Sequence, residues 1–421
     1  MRAPWFYIVT LAICFVFACS NGSGNKSEYE EIACDISNEN LDISRDELGL
    51  ENSIAIKFEN GSASIDNPYE NEVVTLIDGE NIIAQNLSTG AKYNLVLSGN
   101  AQNGSLKIYG EREIGLYLNG VSIANQNGPA INIQGRQKTS VHLVCGTKNT
   151  LTDGGNYEKE GIEKAKGAFY SRGLLHFLGG GNLEINGEYA HALVIDNALE
   201  IENGNITVNK AAKDGIHADE GIHVKGGNIK ITSSNEGIQS ENSLVNITGG
   251  KIDIQTKGTK AHGISSADST IISESAIVQI SVSGNASKGI RSSGFIAIKG
   301  GNIDIKTSGN RSVDNSAVPP DTSTAAGIRA DSDLEISGGI LKIKSIGENS
   351  RGINSDGNIK ISSGNINIES IGVGIKLKGN LYVNGGNVST KSLTKKGISC
   401  EGAIAQTGGT VNAIDKGEGG F

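Results

Sequence analysis

Over most of the chain the hydrophobic residues fall at every second position, in runs of only three to five residues. Ile222-x-Val224 is followed by Ile229-x-Ile231, and Ile296-x-Ile298 by Ile303-x-Ile305. A period of two with Ile and Val predicts short strands with one buried face. The runs are punctuated in phase. Gly-Ile occurs at Gly215, Gly237, Gly263, Gly289, Gly327, Gly352, Gly374 and Gly397, in steps of 22, 26, 26, 38, 25, 22 and 23 residues. A second marker, usually Gly-Gly, follows each: Gly226-Gly227, Gly249-Gly250, Gly300-Gly301, Gly338-Gly339, Gly385-Gly386 and Gly408-Gly409. Each unit therefore reads strand, turn, strand, Gly-Gly bend, strand, turn. The glycines are expected to allow tight bends and positive φ.

Three short strands cannot bury a core alone, but stacked units can. The predicted fold is all-β: a right-handed single-stranded parallel β-helix of about ten coils of roughly 23 residues, with equivalent strands roughly 4.8 Å apart. Earlier copies are weaker, with Ala192-Leu193, Ala168-Phe169 and Ala130-Ile131 at the Gly-Ile place. Asn228, Asn302, Asn365 and Asn387 follow the bend and suggest a stack of side-chain amides there. The long step holds a polar insertion near 310–324, expected as a surface loop. Residues 51–129 alternate out of register with the repeat and are expected to cap the helix formed by 130–421. Propeller, leucine-rich and calcium-roll repeats do not fit in period or motif.

The first residues belong to no repeat. Arg2, an apolar stretch from Trp5 to Phe17, and Ala18-Cys19 read as a signal peptide over 1–18 ending in a lipobox, with Cys19 as the acylated residue. Ser20 is not the Asp that retains enteric lipoproteins in the inner membrane, so the outer membrane or cell surface is expected. The rest of 19–50 is acidic and reads as a tether. Cys34, Cys145 and Cys400 show no CxxC spacing, and a Cys145–Cys400 disulfide stays open.

Composition adds an asymmetry. The chain holds 37 Lys and Arg against 46 Asp and Glu, yet 15 of the former and only 9 of the latter fall within 286–400. The last coils are basic in an acidic protein. Lys288, Arg291, Arg329, Arg351, Lys376 and Lys396 sit close to the Gly-Ile marker in successive units. Stacked, they would form a cationic strip whose like charges repel unless an anion lies across them. A polyuronate chain would serve, with Arg gripping carboxylates in bidentate fashion.

The ordered set Leu95-Val-Leu-Ser-Gly-Asn, Ile114-Gly-Leu-Tyr-Leu-Asn-Gly, Asn149-Thr-Leu-Thr-Asp-Gly154 and Ala212-Lys-Asp-Gly-Ile-His-Ala-Asp219, with its Gly-Gly echoes, resembles the bacterial extracellular carbohydrate-binding β-helix family across roughly residues 50–414. The resemblance implies a pectate-lyase-like fold, bound calcium, and affinity for polygalacturonate-like acidic polysaccharide and for cellulose, without demonstrated catalysis. That family carries acids just before Gly-Ile. Here Asp214, with Asp219 after it, and Glu236 keep the feature, and Asp153 matches its own motif, so these four are the candidate calcium ligands. The six histidines show only a weak His217-x5-His223 spacing and are expected as turn or strand-face residues.

The expected partners are an acidic polysaccharide and, through the lipid, a membrane. Nucleic acid is not expected, and the chain is expected to be a monomer. A polysaccharide lyase on the same fold, or a rigid stalk or adhesin, are the alternatives.

Overall fold

A computed structural model describes residues 43–416, apart from 88–89, 158–162, 164, 274 and 317. The signal peptide, Cys19 and most of the acidic tether lie outside the described residues. Among the described residues every regular element is a strand. The strands wind into a right-handed parallel β-helix of about 13 turns.

One coil shows the plan. Ile216–Ala218, Ile222–Val224 and Asn228–Ser233 are its three strands. Ile216, Ile222, Val224, Ile229 and Ile231 are buried, while the residues between them face outward. Each strand pairs in parallel with its equivalent one coil on: Ile216 with Ile238, Ile222 with Val245, and Ile229 with Ile252. Repetition builds three columns. The first carries the Gly-Ile strands and forms a 14-stranded sheet. The second and third merge into a 26-stranded sheet, because Tyr93–Ala101 and Ile114–Asn125 run through both columns.

The two glycine markers have different causes. The second residue of Gly-Gly has positive φ, as at Gly227 (82°) and Gly301 (84°), where an L side chain would be strained. The Gly of Gly-Ile has no positive φ. A Cβ on Gly237 would overlap Ile254 Cγ2 of the third column of its own coil. The first and third columns therefore close on each other at this glycine, and the residue before the inward Ile has no room for a side chain. This corrects the bend-forming role expected for these glycines.

The N-terminal segment is partly cap and partly helix. Ile54–Glu59 with Ser62–Asp66, and Val73–Asp78 with Asn81–Asn86, are antiparallel hairpins. The inner strand of each pairs in parallel with the next coil, at Ile54 to Leu95 and Asn81 to Ser105. The parallel ladder thus starts well before residue 130, and a continuous core runs from Ile54 to Val388. The sequence missed these coils because their second and third strands are fused, which removes the bend between them.

The expected amide stack after the Gly-Gly bend is broken, since Lys251, Ile277 and Ile340 share that row with the asparagines. An uninterrupted ladder runs instead along the corner before the second column. Asp333 Oδ1 accepts Asn358 N at 2.7 Å, Asn358 Oδ1 accepts Asn380 N at 2.9 Å, and Asn380 Oδ1 accepts Ala403 N at 2.8 Å. Residues 312–323 leave the body as a small antiparallel hairpin, Ser312–Asp314 with Asp321–Ser323. Cys145 is disulfide-bonded and Cys400 has a free thiol, so the Cys145–Cys400 bridge is not made.

Candidate functional site

The outer surface of the first column carries the chemistry. Two residues before the inward Leu or Ile, successive coils place His191, Asp214, Glu236, His262, Lys288, Ala326, Arg351, Val373 and Lys396 in one row. One residue after it, a second row runs Val194, His217, Gln239, Ser265, Arg291, Arg329, Asn354 and Lys376.

At the N-terminal end of these rows the charges converge. Asp214 is 1% exposed. Its Oδ2 lies 3.0 Å from Nδ1 of His191 and 3.0 Å from Nδ1 of His217. Its Oδ1 accepts the Asn235 amide at 2.8 Å and Glu236 N at 3.2 Å. Burial alone would raise the Asp214 carboxyl, but the two imidazoles outweigh it and hold the carboxyl well below the usual range. Burial and the adjacent Asp214 charge push Glu236 up instead. Burial also works against charge on His217, yet the Asp214 contact raises it. Asp219 Oδ1 stands on the far side of that ring, 3.6 Å from Nε2.

Three of the four candidate calcium ligands therefore meet here, but not as an oxygen cage. Asp219 contacts the outer nitrogen of His217, and the tightest donor group is His191, Asp214 and His217. Calcium takes about six to eight oxygen ligands, and two of these three donors are nitrogen, so the residues present do not fit it. Asp153 belongs elsewhere. It accepts Tyr157 Oη at 2.6 Å and Glu188 N at 2.5 Å, and Tyr157 stacks on Tyr189 at 4.1 Å. His191 carried no sequence signal, since its partners come from the next coil.

At the C-terminal end the six cations divide between the rows. Arg291 and Arg329 pair in register, and Lys376 follows after Asn354. Their repulsion is met from within the protein: Asp331 contacts Arg329 at 2.6 Å and Arg291 at 3.4 Å, Asp356 contacts Arg329 at 2.7 Å and Lys378 at 3.0 Å, and Glu401 contacts Lys376 at 3.9 Å. The strip is thus an ion-pair lattice in this row, contrary to the expectation of uncompensated charge.

The other row differs. Lys288, Arg351 and Lys396 occupy alternate rungs, separated by Ala326 and Val373. Among the described residues none of the three makes an ion pair with a carboxylate. Lys288 Nζ donates to Ala286 O at 2.8 Å and to Ser323 Oγ of the hairpin at 2.7 Å. Burial, then the charges of Arg291 and Arg329, push Lys288 down to about 8. Burial and Arg329 lower Arg351 as well.

A third feature escaped the sequence reading. A groove of about 510 Å³ opens near the N-terminal end, lined by Asn81, Asn103, Asn125, Asn132, Lys107 and Tyr157 among others, with Leu76 and Ile77 at its lip. Glu163 borders it, accepting Tyr109 Oη at 2.6 Å and the Asn132 amide at 2.9 Å. These residues come from five or more separate strands and loops, so no local motif announces them.

A curated carbohydrate-binding domain-containing protein of Acetivibrio thermocellus is 32% identical over 150 residues, which are 35% of this chain and 49% of that protein. The match thus spans about half of the relative's length. A solved polysaccharide lyase-like protein from C. thermocellum, a gadolinium derivative, is 26% identical with a TM-score of 0.46, covering 70% of this chain and 99% of that one. Residues 78–372 and 310–419 match one family description, and the chain belongs to that family, the carbohydrate-binding domain-containing proteins.

Proposed function

We propose that the chain is a non-catalytic binder of anionic, polygalacturonate-like polysaccharide, held outside the cytoplasm through an acylated Cys19. One observation carries the choice of an anionic ligand: among the described residues, Lys288, Arg351 and Lys396 recur at every second rung of one row without an ion-paired carboxylate. Two rungs are roughly 9.6 Å at strand spacing. A polyuronate with a twofold screw turns every second carboxylate to the same side, an alternation of the same kind as that of these cations along the row. Arg291 and Arg329, in the next row, would exchange Asp331 and Asp356 in part for ligand carboxylates. The amide-lined groove would add hydrogen bonds to hydroxyls where the polymer passes the N-terminal coils.

The test is affinity electrophoresis of the purified protein in gels containing polygalacturonate or, separately, a neutral cellulose derivative. Selective retardation by polygalacturonate, weakened in Arg351→Ser with Lys396→Ser, is the expected result. Equal retardation of parent and variant would refute the row.

A lyase is the second reading, and Lys288 favours it. A lysine with a pKa about 8 beside two arginines is partly the neutral amine near that pH, the form that acts as a general base in abstracting a proton next to a uronate carboxylate. It ranks second because its Nζ is turned to Ala286 O and Ser323 Oγ, which also leaves the ligand contacts of this row to Arg351 and Lys396. Unsaturated product absorbing in the ultraviolet would reverse the order.

A further inference from the structure

We infer that His191, Asp214 and His217 form a site for a borderline divalent ion of the zinc type, clamping two successive coils of the first column, and not a calcium site. The donor atoms are two imidazole nitrogens and one carboxylate oxygen, the set that zinc takes and calcium does not. They stand at ligand spacing. Each Nδ1 is 3.0 Å from Asp214 Oδ2, and the three donor atoms lie within 4.8 Å of one another. A tetrahedral site with bonds of roughly 2.0–2.1 Å sets its ligands about 3.3 Å apart, so small movements suffice.

The surroundings supply what a metal-binding imidazole needs. The outer nitrogen of His217 faces Asp219 at 3.6 Å, the place of the carboxylate that commonly orients a ligating histidine. The second oxygen of Asp214 is fixed by Asn235 and the Glu236 N–H, which leaves Oδ2 directed at the two rings. Glu236 is the next residue in the row, and its carboxyl adjoins that of Asp214.

His262 makes the contrast. It occupies the same row, yet its Nδ1 accepts Lys288 N at 3.1 Å and its neighbours are Lys288 and Arg291. There the ring is committed to the backbone among cations. The corresponding contact of His191, from Asp214 N, is 3.4 Å and leaves that nitrogen weakly engaged.

This inference is independent of polysaccharide binding and is tested without it. The purified protein is loaded with zinc or with cobalt(II), desalted, and analysed for bound metal, for the visible bands of four-coordinate cobalt, and for melting temperature. One zinc or cobalt per chain should be retained, with calcium in large excess unable to displace it. His217→Asn, at the more exposed edge of the cluster, should lower affinity about tenfold or more, whereas His223→Asn, on the second column, should leave it unchanged. Should His217→Asn fail to fold, Asp219→Asn carries the same test through the outer nitrogen and should weaken retention. Loss of metal on desalting from the parent protein, displacement by calcium, or equal retention in the parent and in His217→Asn would each overturn the proposal.

Discussion

The rungs of His191, Asp214 and Glu236 and those of Lys288, Arg351 and Lys396 share one row of one column, with the same backbone and the same distance from the inward Ile. Their chemistry is opposite in organisation as well as in sign. In the first group neighbouring rungs are all ionisable, and the charges collapse onto one buried carboxylate. In the second, Ala326 and Val373 separate the cations, and the carboxylates that answer positive charge sit beside the adjacent row. The scaffold decides where a side chain stands, and its neighbour one coil away decides what it can do.

The contrast breaks first at Asp214. Asp214→Ala leaves two imidazoles, an amide and a backbone N–H without their acceptor, at a cost of about 3 kcal/mol or more. Urea unfolding should show this loss. A cost no larger than that of Arg351→Ala would abolish the distinction between the two ends.

Lys288 sharpens it next. Its pKa about 8 lies below the ordinary 10.5, so the unfolded chain binds more protons between those values. Its burial therefore opposes folding in full below pH 8, and that opposition fades as pH rises from about 8 to 10.5. The difference in stability between the parent and Lys288→Met should change across that window, by up to about 3 kcal/mol. A difference that stays flat would mean that the ammonium is solvated.

The third expectation concerns ligand. Arg291→Ser with Arg329→Ser and Arg351→Ser should weaken retention on polygalacturonate about tenfold or more, roughly 1.4 kcal/mol, in affinity electrophoresis. Unchanged retention would move binding to the groove near Asn103 and Asn132. The smallest effect is on folding: Arg351→Ala, which among the described residues breaks no ion pair with a carboxylate, should lower stability by less than about 1 kcal/mol in urea unfolding.

The fold was legible because its rule is local. Alternating Ile and Val, with glycines in phase, repeat within each coil, and the three-column stack follows. What was not legible lies between coils. The fused strands Tyr93–Ala101 and Ile114–Asn125 erased the bend that marks a coil, so the parallel ladder was placed too late. Asp214, Asp219 and Glu236 stood out by position, but His191 did not, because its partner is 23 residues on. Asp356 was invisible as a neutralising group for the same reason, since it stands 27 residues from Arg329, whereas Asp331 lies only two residues from Arg329 and was overlooked locally. The amide ladder was assigned to the wrong corner, since Asn358 and Asn380 differ from other turn asparagines only in what stands beneath them.

The row position two residues before the inward Ile has a consequence for how such proteins diverge. Separation along it comes only in whole steps of roughly 4.8 Å. Duplicating or deleting one coil between Glu236 and Lys288 would change the distance from the Asp214 cluster to Lys288 by one step, and leave the geometry of each intact. Spacing is inherited as a count of coils, so lineages can retune it by recombination of repeats without passing through intermediates in which either group is damaged.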